Sequence, residues 1–584
     1  MNKEWSLEEL YKGYEDSAFQ EDIKKLEQAV ATFNRLAGNL DAAQPAKSIR
    51  EMLLASEELT ALAERLFVFC SLKQSVNTSD NDAVAYMGKM EDMLSNTAKA
   101  DTVLEQFVAA QENLEELIAS DDILKEYEYK LKRIKREACY LLSEEVEEAV
   151  SKLNASSGTA WSDMHSYLTS TVKVDYEGKE MTLPAIRNLA YSKDAAVRKA
   201  AYEAELASYE KIKDAITFSL NSIKKQVLTM VELRGYESPL DMTLQQSGMQ
   251  KETLDAMFTA MKEYFPKFHQ YLKRKGELLG HKNGLPWYEL FAPMGSVSRT
   301  FTTEEAKDYL VNLFRGFAPD LAEMVERAFD EAWIDFYPHE GKVGGAFCCN
   351  VQGLKQSRIL TNFDGSLSDV VTLAHELGHA YHNVQIHNHR PGNTDYSMPV
   401  AETASTFNET VVMDAAIAAA DKEERIALIE SQLQDITQIM CDIYSRYLFE
   451  SAVFDNRNEG FMFADQLKEM MLSAQKEAYG DGLDAECLHP YMWVCKGHYY
   501  STGNSFYNFP YAFGGLFARG LYAKYKEEGE GFLPKYRALL HATPVCSVED
   551  AAKIAGIDLT NPDFFRKSLQ SYAERIDEFL ELTK

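Results

Sequence analysis

The sequence predicts a mainly helical protein with more than one hydrophobic core. Its 584 residues exceed what one ordinary core accommodates, so two or more packed lobes are expected. Glycine and proline, at 30 and 15 residues, are scarcer than in an average protein, and long segments contain neither. Where the hydrophobic pattern is clearest, Leu59, Leu62, Leu66 and Phe69 recur at the three- and four-residue spacing of an amphipathic helix.

An N-terminal helical lobe is predicted at residues 1–183. The charged segment Leu114–Val150 continues the amphipathic pattern. From Thr171 to Leu183 apolar and polar residues alternate around the turn signal Glu177-Gly178, which predicts a β-hairpin at the end of the lobe. Pro184 then opens a further helical run. The remainder, 184–584, is predicted to form the second domain.

A short β region interrupts the helices of the second domain. Between Ile334 and Phe363 glycines mark the turns, and the last predicted strand, Arg358–Phe363, leads directly into the next helix. A small sheet of this kind can offer an open edge to which an extended peptide adds as a strand. Turn geometry alone also explains the glycines.

Charge and cysteine usage narrow the classes of function. The chain carries 61 basic and 91 acidic residues, a net charge of −30, which disfavours nucleic acid and anionic membranes as partners. The first residues lack the apolar stretch of a secretory signal, and no segment resembles a membrane-spanning helix. The eight cysteines are scattered without a CxxC pair, which is typical of reduced thiols. A cytoplasmic protein is therefore expected.

The pattern HExxH at residues 375–379 predicts a metal-binding helix. His375 and His379 are four residues apart, so they project from one helix face and can reach the same ion. Glu376 lies beside the first histidine, where a carboxylate can take a proton from a metal-bound water. Ser366 and Asp369 form a capping-box pattern at the start of this helix. The alternative is a chance match, in which the histidines are only solvated or hydrogen-bonded.

A catalytic zinc site needs a third protein ligand. A histidine ligand of the metzincin type is excluded, because His382 and Gln385 occupy the positions of that motif's glycine and histidine. The remaining option is a glutamate on a following helix, and Glu402 lies just past a proline-initiated helix start. Glu409 lies two turns further on and is placed to hydrogen-bond a ligating histidine. By itself Glu402 would be an ordinary exposed carboxylate, but its spacing after HExxH predicts a ligand.

With these motifs the sequence resembles the M3 zinc metallopeptidases, specifically the bacterial oligoendopeptidase F group, relatives of thimet oligopeptidase. The resemblance lies in LAHELGHAYH at 373–382, AETASTFNE at 401–409 and HYYSTGNSFYNFPYAFG at 498–514, with the lead-in LTNFDGSLSDVVT before the first of them. It covers the second domain well, whereas the N-terminal lobe matches in length and helical character only.

The resemblance implies a two-lobed helical metallopeptidase with a deep central channel that admits short unfolded peptides. The implied activity is that of a zinc-dependent endopeptidase, which hydrolyses internal peptide bonds of short unstructured peptides by attack of a zinc-bound water. His375, His379 and Glu402 are then the ligands of one zinc ion per chain, and Glu376 is the general base. The predicted β region would form a small sheet next to the HExxH helix.

The third motif supplies candidate groups for binding the substrate. His498, Tyr507 and Tyr511 match the family's histidine and tyrosines that bind substrate and stabilise the transition state, and such donors suit a tetrahedral oxyanion. Alternatively, the tyrosines are half-buried aromatics with hydrated hydroxyls. A further tyrosine often found after Tyr511 is replaced by Gly514-Gly515, so its role is not assigned. We expect His382 to be structural or to support the metal ligands.

Three alternatives remain open at this level. An exopeptidase such as a dipeptidyl carboxypeptidase would need a cationic group for the substrate's C-terminal carboxylate, and the sequence does not place one. A non-catalytic peptide-binding protein would not need Glu376 as a base. A helical scaffold with a chance HExxH would bind no zinc. Short peptides are the expected partners, with a preference for basic ones given the net charge of −30, and the sequence carries no indication of oligomeric state.

Overall fold

The computed structural model describes residues 2–297 and 299–584, and helices dominate it, as the sequence predicts. In the first part of the chain the helices are α1 (Ser17–Ala37), α2 (Pro45–Val76), α3 (Asn81–Ser95), α4 (Ala98–Ala109), α5 (Leu114–Ser120), α6 (Asp122–Glu126), α7 (Glu128–Glu137), α8 (Glu144–Asn154), α9 (Gly158–Thr171), α10 (Leu183–Asn188), α11 (Ala195–Tyr209), α12 (Lys213–Arg234), α13 (Pro239–Ser247) and α14 (Lys251–Leu278). They are followed by α15 (Thr303–Arg315), α16 (Pro319–Asp330), α17 (Leu367–Ile386), α18 (Met398–Ala401), α19 (Thr403–Ala419), α20 (Lys422–Thr437), α21 (Ile443–Glu459), α22 (Ala464–Tyr479), α23 (Met492–Cys495), α24 (Phe509–Glu528), α25 (Leu533–Ala542), α26 (Val548–Ile554) and α27 (Pro562–Leu582). Within these described ranges no helix combines the length and the apolar character needed to cross a bilayer.

The predicted β-hairpin is present. Strands β1 (Lys173–Tyr176) and β2 (Lys179–Thr182) pair antiparallel, and Tyr176 lies opposite Lys179. The two turn residues both have positive φ, 49° at Glu177 and 77° at Gly178. This is the conformation that a two-residue hairpin loop requires, and glycine adopts it without steric cost. The turn signal in the sequence therefore sets the register of the two strands.

A three-stranded sheet lies in the second predicted β region. Strand β5 (Gln356–Leu360) is central, parallel to β3 (Ile334–Asp335) and antiparallel to β4 (Phe347–Val351). The strand predicted at Arg358–Phe363 begins and ends earlier, because pairing with β4 stops where Leu360 meets Phe347. After β5 ends, the backbone N–H of Phe363 donates a hydrogen bond to the carbonyl oxygen of Phe336, just after β3, at 2.7 Å.

Helix α17 begins at the predicted capping box. Ser366 Oγ accepts the backbone N–H of Asp369, and the Asp369 carboxylate accepts the N–H of Ser366 in return, both at 3.1 Å. Gly365 precedes the box with φ +98°, and a Cβ there would lie only 2.7 Å from the carbonyl oxygen of Phe301. Further along α17, the Asn383 amide donates to Ser357 Oγ of β5 at 3.1 Å. The start of α17 is thus fixed by side-chain capping and a close backbone approach.

The chain forms two compact units, each assembled from three segments. The first unit combines Met1–Cys139, Ser298–Val412 and Lys524–Gly556. In its core, Phe19 of α1 and Phe69 of α2 are almost fully buried and pack with ring centroids 5.6 Å apart. Helix α17 and the three-stranded sheet belong to this unit.

The second unit combines Tyr140–Val297, Met413–Ala523 and Ile557–Lys584. Helices α14 and α27 pack along each other within it, as in the contact between Tyr271 and Phe579. The unit also buries two ion pairs, Lys224–Glu450 and Lys275–Glu430, whose side chains are at most 4% exposed. Each compact unit combines segments that are distant along the chain. The domain limits 1–183 and 184–584, which divide the chain once, therefore stay a prediction.

Candidate metal centre

His375 and His379 lie one turn apart on α17 with their imidazoles close together. Their Nε2 atoms are 3.2 Å apart, and the side chains retain 23% and 20% of their surface exposed. This follows from the four-residue spacing, which stacks side chains on one helix face. The pair therefore brings two ring nitrogens to one point that solvent still reaches.

Glu402 adds an oxygen to the same point. Its Oε2 atom lies 3.3 Å from Nε2 of His375 and 3.4 Å from Nε2 of His379. The residue stands at the junction between α18 and α19, where it caps the short helix that Pro399 starts. Ser405 donates its hydroxyl to Glu402 Oε2 at 2.7 Å, which holds the carboxylate in this orientation.

The three donor atoms are spaced as zinc ligands are. Their separations are 3.2, 3.3 and 3.4 Å. A tetrahedral zinc site with bonds of about 2.0–2.1 Å requires ligand atoms roughly 3.3–3.4 Å apart. Two imidazole nitrogens and one carboxylate oxygen are also a donor set typical of catalytic zinc, which leaves a fourth position open. The residues present therefore fit this metal.

Gly378 allows α19 to approach α17 at this site. A Cβ on Gly378 would lie 2.5 Å from both the Ala404 carbonyl oxygen and Ser405 Cα. Only a residue without a side chain fits between the two backbones at that distance. The amide of Asn408 then donates to the Ala374 carbonyl at 3.1 Å and links the helices one turn further along. This close packing places Glu402 within reach of the histidines.

Glu409 contacts the other side of the His375 ring. Its Oε1 atom lies 2.7 Å from Nδ1 of His375, two turns along α19 from Glu402, as the sequence predicts. A carboxylate at Nδ1 requires the proton on that nitrogen and leaves Nε2 as the lone-pair donor. The contact thus fixes both the ring orientation and its tautomer.

The electrostatics of the cluster favour positive charge at its centre. Burial disfavours the charged form of His375, but hydrogen bonds with Glu402 and Glu409 outweigh it and raise the pKa of His375 to about 10. Burial alone would raise the pKa of Glu402, yet its contacts with His375 and His379 hold that pKa far below its ordinary value. Carboxylates on both sides of the His375 ring therefore favour a positive charge at this point.

Glu376 is held inside the structure beside this cluster. Glu376 is only 5% exposed. Burial raises the pKa of Glu376, although the neighbouring histidines oppose the shift. A carboxylate in such surroundings binds a proton more readily than one in water. This is the property that a general base needs.

His382 is a structural residue, which is one of the two roles expected for it. Its ring is completely buried and stacks on Tyr396 with centroids 4.2 Å apart. Its Nε2 atom lies 2.8 Å from the Thr543 hydroxyl, and burial lowers the pKa of His382 to about 3. The buried, neutral ring therefore contributes to packing.

His498, Tyr507 and Tyr511 are brought together within the second unit. Their ring centroids are 5.2 Å apart for His498 and Tyr507, 5.8 Å for the two tyrosines and 6.3 Å for His498 and Tyr511. Tyr511 is 39% exposed. Burial lowers the pKa of His498, and the nearby cations Arg446 and Lys496 lower it further. The three groups form one aromatic cluster with a neutral imidazole.

Gly515 lies one turn after Tyr511 on α24 and close to the Ile439 side chain. Even a Cβ at Gly515 would lie 3.0 Å from Cδ1 of Ile439. A larger side chain at position 515 would therefore require the Ile439 side chain to move.

Three residues that shape the candidate metal centre were missed by the sequence analysis. These are Gly378, Ser405 and Asn408. The three-residue spacing of Glu402 and Ser405 is a local signal that could have identified the second of them. The other two act through the contact between α17 and α19, which requires the fold.

The family comparisons cover most of the chain. The model for peptidase family M3 matches residues 188–571. A second model, described as Oligopeptidase F, matches residues 109–173. The second match ends at Lys173, the first residue of β1, and the first match begins after the hairpin. All seven predicted site residues fall within the first of them.

Two bacterial oligopeptidases are similar to this chain over almost its whole length. Oligopeptidase PepF of Bacillus subtilis is 24% identical over 99% of this chain and 87% of that protein. Group B oligopeptidase PepB of Streptococcus agalactiae is 24% identical over 97% of this chain and 95% of its own length. The similarity thus extends through both predicted domains.

Solved structures share the fold. A putative peptidase from Chlamydophila abortus superposes with a TM-score of 0.84 at 20% identity, covering 99% of this chain and 98% of that one. Oligoendopeptidase F from Enterococcus faecium superposes with a TM-score of 0.71 at 19% identity, covering 97% and 98%. These matches confirm the predicted mainly helical fold class.

Proposed function

The chain belongs to peptidase family M3, as a metalloendopeptidase of the oligoendopeptidase F group, and we propose that one zinc ion serves its hydrolysis of internal bonds in short, unstructured peptides. The observation that carries the proposal is the spacing of three donor atoms. His375 Nε2, His379 Nε2 and Glu402 Oε2 lie 3.2–3.4 Å from one another, which supports tetrahedral zinc over an octahedral oxygen-ligated metal.

In this proposal His375, His379 and Glu402 hold the zinc. When bound there, zinc would polarise the scissile carbonyl and lower the pKa of a water molecule. Glu409 keeps the His375 ring in the orientation and tautomer that ligation needs. Ser405 fixes the orientation of the Glu402 carboxylate by donating a hydrogen bond from its hydroxyl.

Glu376 is proposed as the general base. Its carboxylate accepts a proton as water attacks the scissile carbonyl and then delivers that proton to the leaving amine. Its burial favours this cycle, because the raised pKa makes the carboxylate a better proton acceptor than it would be in water.

His498, Tyr507 and Tyr511 are proposed to bind the substrate and stabilise the oxyanion. Each can donate a hydrogen bond to the oxygen on which negative charge develops. Their mutual ring contacts restrict side-chain rotation, so less freedom is lost when the substrate binds.

Metal analysis and peptide cleavage with a matched pair of proteins test the proposal. The wild type and Glu376→Gln are purified alike, their zinc content is measured by mass spectrometry, and a short internally quenched peptide is the substrate. We expect one zinc per chain in both proteins, internal cleavage by the wild type, and cleavage by Glu376→Gln slower by about 10²-fold or more.

Two results would contradict the proposal in different ways. A Glu376→Gln protein that cuts as fast as the wild type would refute the assigned base. A wild type that holds zinc but releases only terminal residues, seen by mass analysis of the fragments, would refute the endopeptidase specificity. Exposed Glu323→Gln on α16 serves as the control and should behave as the wild type.

A further inference from the structure

The second unit contains a cavity that the proposed function does not use. Its volume is about 230 Å³, and the residues around it come from α10, α11 and the segments 287–291 and 489–496. That volume equals roughly seven or eight water molecules in the liquid, so it suits one small molecule. Aromatic rings form much of its wall, among them Tyr191, Tyr202, Tyr288 and Phe291.

Three cations line this cavity, and two of them are neutralised. Arg187 Nη1 lies 2.7 Å from Glu205 Oε1. The guanidinium of Arg198, itself 3% exposed, donates through Nε to Glu289 Oε2 at 2.8 Å. Because Arg187 and Arg198 are each paired with a carboxylate, the unpaired positive charge of the cavity wall is that of Lys496.

Lys496 makes no ion pair with any residue in the described part of the chain. The acidic group that most favours its charge is Asp442, and that carboxylate is already bound by Arg446. Burial lowers the pKa of Lys496, and the nearby Arg446 lowers it further. Lys496 is partly buried. A partly buried ammonium without a counter-ion is less stable than a paired one, so an anion in the cavity would stabilise its charge.

A second polar group in the wall also lacks a partner. His489 is 1% exposed and lines the cavity. Its Nε2 atom lies 3.3 Å from Glu205 Oε1, while its buried Nδ1 has no hydrogen-bond partner among the described residues. Buried polar atoms are normally satisfied, so an open one beside a cavity points to a ligand or ordered water.

We propose that this cavity binds a small carboxylic acid with an aromatic body, its carboxylate paired with Lys496 and its ring packed among the tyrosines. Aromatic rings prefer aromatic neighbours at offset or edge-on geometry, and the wall already contains such contacts. Tyr191 and Phe291 have centroids 5.1 Å apart, and Tyr202 and Tyr288 have centroids 5.8 Å apart. The acid has two chemical sources, a free aromatic acid or the C-terminal aromatic residue of a peptide.

Calorimetric titration of the zinc-loaded, full-length protein tests the site. The probe is 3-phenylpropanoate, and its neutral counterpart is 3-phenylpropanamide. We expect the wild type to bind the acid at least about tenfold more tightly than the amide, and Lys496→Met to lose about tenfold in affinity for the acid. Exposed Lys476→Met in the same unit is the matched control and should bind as the wild type.

A second variant tests the cavity without changing its charge. Ala201 lines it and is 3% exposed, so Ala201→Leu fills space while Lys496 remains. We expect this variant to lose binding of the acid as well. Equal binding of acid and amide by the wild type would overturn the proposal. So would unchanged binding of the acid in both variants, because the probe would then occupy another place, such as the metal.

Competition separates the two sources of the acid. The tripeptide Ala-Ala-Phe and its C-terminal amide are each added to protein saturated with 3-phenylpropanoate. Displacement by the free tripeptide alone identifies peptide C-termini as the source, and no displacement by either identifies free small acids. Equal displacement by both would contradict recognition through the carboxylate. These measurements read binding alone, so their outcome is independent of the proposed peptidase mechanism.

Discussion

Glu409 Oε1 lies 2.7 Å from Nδ1 of His375, while Nε2 of the same ring lies 3.3 Å from Glu402. One imidazole is thus held between two carboxylates seven residues apart, Glu402 just before α19 and Glu409 within it. Because Glu409 orders the ring and Glu402 approaches the proposed metal position, the two glutamates have separate effects that mutagenesis can resolve.

Replacing Glu409 should weaken zinc binding without abolishing it. Loss of a carboxylate that supports a ligating histidine typically costs about 10–100-fold in metal affinity. We expect Glu409→Ala to show a loss of that size in a competitive chelator titration. Glu402→Ala, which removes a proposed ligand, should lose substantially more.

Glu409→Gln refines this prediction. A glutamine can still accept the Nδ1 hydrogen bond but lacks the charge, so its zinc affinity should lie between those of the wild type and Glu409→Ala. Exposed Glu323→Ala is the control for loss of a carboxylate elsewhere in the same unit. If Glu409→Ala binds zinc as tightly as the control does, the supporting role is wrong.

Gly378→Ala should separate α17 from α19. The added methyl would lie 2.5 Å from backbone atoms of Ala404 and Ser405, and backbone cannot rotate away as a side chain can. We expect destabilisation by about 1–3 kcal/mol, together with weaker zinc binding because Glu402 moves from the histidines. Thermal unfolding and the chelator titration measure the two effects.

Gly88→Ala is the control for Gly378→Ala, because it adds the same methyl group but should stabilise the protein. Gly88 lies inside α3, and no neighbouring atom comes within 4 Å of the place that an added methyl group would take. There alanine should stabilise the helix by about 0.5–1 kcal/mol. A Gly378→Ala protein that unfolds at the wild-type temperature and binds zinc normally would show that the close helix approach is dispensable.

Tyr507→Phe should slow catalysis and leave the aromatic cluster intact. The phenyl ring keeps the packing against His498 and Tyr511, while the hydrogen-bond donor is lost. Removal of one oxyanion donor typically lowers kcat by about 10²–10³-fold, with KM little changed when the contact forms only in the transition state. Steady-state kinetics on a quenched peptide measure both constants.

Tyr167→Phe is the matched control, because Tyr167 is 67% exposed in the same unit. It should retain wild-type kinetics. A Tyr507→Phe enzyme with unchanged kcat would mean that the hydroxyl is merely hydrated, which is the alternative considered from the sequence. A raised KM with normal kcat would instead limit Tyr507 to substrate binding.

The features that the sequence predicted correctly are those set by local chemistry. The hairpin follows from Glu177-Gly178 and its positive φ values, and the start of α17 follows from the capping pair Ser366 and Asp369. The spacing of His375 and His379 fixes their shared face in any helix. Each of these signals lies within a few residues and needs no tertiary contact.

The features that the sequence did not predict depend on tertiary contacts. Strand β5 ends at Leu360 because its partner β4 begins at Phe347, 13 residues earlier in the chain. Gly378 matters only because Ala404 and Ser405 lie against it. The discontinuous units likewise arise from contacts between distant segments, which periodicity and composition do not encode.

Acid should destabilise the second unit through Glu205. Burial alone would raise the pKa of this carboxyl, but His489, Arg187 and Tyr209 outweigh burial and lower its pKa to about 2, from 4.5. A group whose pKa is depressed by folding contributes stability that is complete above its unfolded pKa. That contribution, on the order of 3 kcal/mol, is lost as pH falls from about 4.5 towards 2.

Glu205→Gln tests this linkage. At neutral pH the variant should melt at a lower temperature than the wild type, because it leaves Arg187 without its carboxylate at 2.7 Å. The difference should shrink as pH falls through the window from 4.5 to 2, since the wild type then loses the same charge. Melting is followed with a chelator present, so that zinc release contributes to neither curve. Glu203→Gln, an exposed neighbour on α11, should follow the wild type throughout. Parallel curves for Glu205→Gln and the wild type at every pH would show that Glu205 is not the group that titrates.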